Sequence, residues 1–145
     1  MLTLRQAGRS AVVFCVAAIS CLLGATKLGH FNINPGAHEM WQRLFEHVYA
    51  PQVAALVSSH LGPSPLLRVL HHQQLRVFVG SLEFLCGVSL FFGSRASAWV
   101  LSLLSSGLCA VCYLQDDIDG LSFPLLLTAL CVYLAVTAAP SKNGK

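Results

Sequence analysis

Charge is what this sequence has least of. Asp, Glu, Lys and Arg make up 10% of its 145 residues, against about 25% in an ordinary soluble domain. Hydrophobic residues account for 55% and the mean hydropathy is +0.67. A chain with so little polar surface is expected to be an integral membrane protein, residues 1–145 forming one domain with the lipid bilayer as its first partner. There is no basic cluster either. The net charge of +3 is spread along the chain, which excludes the basic stripe of a nucleic-acid-binding protein. Cysteine is missing from the polar segments. Cys15, Cys21, Cys86, Cys109, Cys112 and Cys131 all lie in apolar stretches, which excludes a secreted disulfide framework and leaves them as small hydrophobes. No pair among His30, His38, His47, His60, His71 and His72 has the i, i+4 spacing of a helical metal site, so no metal is expected, and no cofactor.

What is present is a set of four apolar runs. The expected fold is all-α: a four-helix transmembrane bundle with spans at about 10–28, 75–93, 96–114 and 121–139. The first span has the basic start and small residues of a signal peptide (Arg5, Arg9, then Gly24 and Ala25), but its apolar run is long for one, so a retained span is expected. The third carries Ser102, Ser106 and Ala110 at every fourth position, a small-residue stripe for helix packing. The fourth has Pro124, expected in its first turn, where a missing N–H costs little.

The one long connection, His30–Gln74, opens with turn chemistry at Asn34-Pro35-Gly36. His38–Ala50 then reads as an amphipathic helix. Trp41, Leu44, Phe45, Val48 and Tyr49 follow the i, i+3, i+4, i+7, i+8 pattern, and Gln42, Arg43, Glu46 and His47 take the other side. Trp41, Phe45 and Tyr49 suit a membrane–water interface or a packed face of the bundle. His60–Pro65 reads as a loop and Leu66–Gln74 as a helical lead into the second span. Arg5, Arg9, Arg95, Lys142 and Lys145 fall on one side of a four-span layout, which places both termini in the cytoplasm by the positive-inside rule.

Against this background Glu83 stands out. It lies near the middle of the second span, where an unpaired charge costs several kcal/mol. At about 100° per residue, Arg76, Gly80, Glu83 and Gly87 fall within an arc of roughly 60°. Glycines beside a carboxylate let a neighbouring helix come close, so this face is expected to meet a helix rather than lipid. Helical side chains lean toward their own N-terminus. Lys27, near the end of the first span, then leans into the membrane toward Glu83, whereas Arg76 leans out to the surface. By rise alone Lys27 and Glu83 differ in depth by roughly 10 Å, which invites a bridging water.

Two motifs carry a resemblance. Gly24-Ala25-Thr26-Lys27-Leu28 is similar to the G-x-x-K-L that closes the first helix of DoxX-like small membrane proteins. Arg76 to Gly87 reads R-x-x-x-G-x-L-E-x-x-C-G and resembles the second helix of the novel acetylcholine receptor chaperone group within that family. The resemblance implies a four-helix protein of the endoplasmic reticulum membrane that assists folding, assembly and surface delivery of multi-subunit membrane proteins, such as acetylcholine receptor-type ion channels. It makes unassembled client subunits the expected partners. Gly24, Lys27, Arg76, Gly80, Glu83 and Gly87 are then the client-binding or helix-packing residues, with no catalytic residue. Two alternatives stay open. Cys109-Ala-Val-Cys112 has the C-x-x-C spacing of a quinone-linked membrane oxidoreductase, although no Lys or Arg adjoins it to stabilise a thiolate. The chain also fits a non-catalytic membrane subunit or small carrier using Glu83 as a proton or cation site.

Overall fold

The computed structural model describes residues 4–29, 34–61 and 71–137. The expected loop around 62–65, the helical lead at 66–70 and the tail after Thr137 lie outside them, as does His30. The described part is all-α, with no strand. Its helices are α1 (Leu4–Leu28), α2 (Pro35–Leu44), a π-helical turn (Phe45–Tyr49), α3 (Ala50–Leu61), α4 (His72–Phe91), α5 (Arg95–Leu114) and α6 (Ile118–Thr137). Four of them, α1, α4, α5 and α6, are long and apolar enough to cross a bilayer, which makes this a multi-pass membrane protein.

Local chemistry explains where these helices start and stop. At the end of α1, Gly29 takes the left-handed conformation (φ 72°), and its N–H donates to the Ala25 carbonyl at 3.1 Å. Asn34 caps α2, its side-chain oxygen accepting the Ala37 N–H at 3.2 Å, and Pro35 sits in the first turn. The helix therefore begins three residues before the expected His38, because Asn-Pro here is a start signal rather than a free turn. Helical structure also runs on past Pro51 to Leu61, across part of the expected loop. A proline ring clashes with the carbonyl four residues back. The π turn directly before it, with the Ala50 N–H reaching the Phe45 carbonyl, widens the backbone where that clash would fall.

Gly93 (φ 79°) closes α4, and Ser94 caps α5 by accepting the Ser97 N–H at 3.3 Å. Asp117 caps α6 through the Gly120 N–H at 2.9 Å, so this helix starts at Ile118, three residues earlier than expected. Pro124 consequently lies in the second turn rather than the first. Its side chain is fully buried and its carbonyl is taken by the Thr128 hydroxyl at 2.8 Å.

The chain divides into two compact units. The first comprises Met1–Cys21 and Leu85–Lys145, and so draws on all four long helices. Val16, Ala17, Leu90, Leu101, Val111, Leu127, Cys131 and Leu134 form its core. Along α5 and α6 the polar seam uses Ser105, not the expected Ser106 and Ala110. Thr128 Oγ1 lies 2.8 Å from Ser105 Oγ, while Ser106 and Ala110 are exposed. A Cβ on Gly87 would stand 2.8 Å from Cys21 Sγ and 3.0 Å from the Ala17 carbonyl, so α1 and α4 touch there backbone to backbone. The second unit, Leu22–Phe84, holds the end of α1, the connecting helices and the start of α4.

A buried polar cluster under a connecting helix

Of the residues of the two motifs, Gly24, Lys27, Arg76, Gly80 and Glu83 fall in the second unit and Gly87 in the first, and the glycines decide how close the helices come. A Cβ on Gly24 would lie 2.6 Å from the Gly80 carbonyl and 2.7 Å from the Phe84 amide nitrogen. One on Gly80 would lie 2.8 Å from Lys27 Cβ. No larger residue fits at either position without moving backbone. This contact brings Lys27 and Glu83 together directly: Lys27 Nζ donates to Glu83 Oε2 in an ion pair, where rise alone left room for a water between them. Both side chains are buried, Lys27 at 3% exposure and Glu83 at 9%. The space that the glycines leave beside the carboxylate is thus filled by α1 itself.

Above the pair lies α2. Lys27 Nζ sits 4.1 Å from the centre of the Trp41 ring, a cation–π contact in a desolvated place. Trp41 and Phe45 are buried, at 6% and 1% exposure, so neither lies at an exposed interface. Tyr49 is half-buried and stacks on Phe45 with ring centres 4.7 Å apart. The amphipathic face covers the protein's own polar cluster. Gln42, Arg43, Glu46 and His47, assigned to the opposite face, are exposed.

Arg76 differs most from expectation. It was expected to lean out and reach the surface, yet it is 4% exposed. The reason is His38 on α2. Its Nδ1 lies 3.0 Å from the Thr26 carbonyl oxygen and its Nε2 3.0 Å from Arg76 Nη1. One tautomer serves both contacts: Nδ1–H donates to Thr26 and Nε2 accepts from the guanidinium. The His38 ring also lies against Gly29, where any side chain would overlap it. By sequence alone, His38 stands at the start of the amphipathic helix, with no contact to Arg76 expected. Its role needed the fold, because it depends on α2 crossing both α1 and α4.

Cys109 and Cys112 are both half-buried on α5, and no disulfide joins any of the six cysteines. Cys109 Sγ lies 3.8 Å from Thr128 Oγ1, in the same polar seam as Ser105. Comparison with protein-family models, with curated proteins and with solved structures finds no match to this chain.

Proposed function

We propose that this chain is a non-enzymatic protein of the endoplasmic reticulum membrane that assists folding and assembly of multi-subunit membrane proteins, with acetylcholine receptor-type channel subunits as the client class. One observation carries the reading. The residues of the two resemblance motifs in this unit, Gly24, Lys27, Arg76, Gly80 and Glu83, converge on a single helix contact beneath α2. An unassembled subunit exposes polar groups inside the bilayer, where they are costly. Lys27 and Glu83 offer one strong donor and one strong acceptor to such a group, and until it arrives they satisfy each other beneath α2. In this reading both termini are cytoplasmic and α2 lies on the opposite side of the membrane. The DoxX-like likeness supports the fold more than the client, since fold alone does not fix function.

Crosslinking in native membranes, followed by identification of what is captured, tests this. The expected result is a membrane-protein subunit captured in unassembled form. Bound quinone with no protein partner would replace this reading with the thiol oxidoreductase based on Cys109 and Cys112.

A further inference from the structure

The charges of the cluster do not balance. Lys27 and Arg76 bring two positive charges, and Glu83 alone brings a negative one, already taken by Lys27. Arg76 is 4% exposed, and among the described residues its Nε is buried without an acceptor and its hydrogen-bonding partner is an imidazole. A guanidinium has five N–H donors and stays charged in proteins. A buried charge is ordinarily paired with its opposite. Arg76 is the fifth residue of α4, in the second turn from one end of a helix long and apolar enough to span a membrane.

We infer that Arg76 is the basic end of a phosphate-binding site that takes the headgroup of an anionic phospholipid, with His38 occupying the guanidinium until the phosphate arrives. The His38 ring joins Arg76 to a cavity of about 250 Å³, lined also by Thr26, Gly29, Asn34 and Gln42. Arg76 does not itself line that cavity; the His38 ring stands between them, and that ring must turn aside for the guanidinium to reach a ligand there. Phosphate suits Arg because it accepts two parallel N–H bonds, which the imidazole cannot do. Glu39 is the one carboxylate lining the cavity and is exposed, so it opposes an anion there. This inference is independent of any client.

The test uses the purified full chain in micelles of a phosphate-free maltoside detergent, with and without added phosphatidylglycerol, and reads the Tm. Anionic lipid should raise the Tm of the wild type by several degrees, as ligand linkage requires. Arg76→Gln should lose that rise, Arg76→Lys should keep part of it, and Glu39→Gln should enlarge it. Native mass spectrometry should show about tenfold weaker retention of phosphatidylglycerol by Arg76→Gln, the loss expected for a charge-assisted pair. Arg76→Gln removes the uncompensated charge, so in the micelles without lipid it should not be markedly less stable than wild type. A marked fall there would mean that Arg76 is already compensated, and would overturn the site. So would an equal rise in wild type and Arg76→Gln, or no rise in either. An equal rise from inorganic phosphate without anionic lipid would overturn the lipid as the source.

Discussion

Removing one partner of the Lys27–Glu83 pair should cost far more than removing both. Glu83→Leu leaves the Lys27 ammonium at 3% exposure with no counter-charge, and Lys27→Met leaves the Glu83 carboxylate equally stranded. Breaking a buried pair in this way costs about 3–5 kcal/mol. A polar contact between membrane helices is itself worth only about 0.6 kcal/mol on average. Most of the loss must therefore come from the orphaned charge, for which translocon scales give about 2.5–3.5 kcal/mol at mid-membrane. Lys27→Met also gives up the Trp41 contact at 4.1 Å, worth about 0.5–2 kcal/mol. We expect each single variant to lose about 3 kcal/mol or more, and Lys27→Met/Glu83→Leu to lose about 2 kcal/mol or less. The assay is equilibrium unfolding in mixed micelles, read by far-UV circular dichroism. Single variants within about 0.5 kcal/mol of wild type, or a double variant as poor as the sum of the two, would refute the reasoning.

Three further outcomes follow from the same geometry. Gly24→Ala should destabilise by about 1–3 kcal/mol, because its Cβ would meet the Gly80 carbonyl at 2.6 Å, whereas Gly107→Ala, with nothing within 4 Å, should be neutral or slightly stabilising; thermal unfolding of the two variants side by side decides it. Replacing Cys109 and Cys112 together by Ala should leave abundance and client capture near wild type, since half-buried thiols pack as small hydrophobes; loss of activity at normal abundance would point to redox chemistry instead. In a cysteine-free background, Ser58→Cys and Lys142→Cys should label from opposite sides of the membrane with an impermeant reagent, and labelling from one side would mean that the proposed topology is wrong.

The parts of this protein that local pattern controls could be read from its sequence. Each of the four apolar runs is a long helix, and the face through Arg76, Gly80, Glu83 and Gly87 is buried as the 3.6-residue period requires. Lys27 reaches Glu83 as the lean of helical side chains suggested. What escaped was set by tertiary cover. The lean argument sends Arg76 outward, and it would go there if α2 did not lie across it with His38 as acceptor. Trp41 and Phe45 suit an interface belt or a packed face of the bundle equally well, and their burial over Lys27 decides for the packed face. Some local signals were also present and misweighted. Asn34-Pro35 is as good a helix start as a turn, Asp117 is a cap, and Pro51 is tolerated because a π turn precedes it.

The central claim is that the buried pair both closes this unit and meets the client. Exchanging its two charges, Lys27→Glu with Glu83→Lys, separates these roles, because a direct ion pair at this helix contact survives the exchange while its polarity toward anything else is reversed. Abundance in native membranes and crosslinked client capture must be read on the same variant. Our account predicts abundance well above either single reversal, below wild type only by the lost Trp41 cation–π contact, with capture lost. Capture at the wild-type level, or abundance as low as in the single variants, would contradict it.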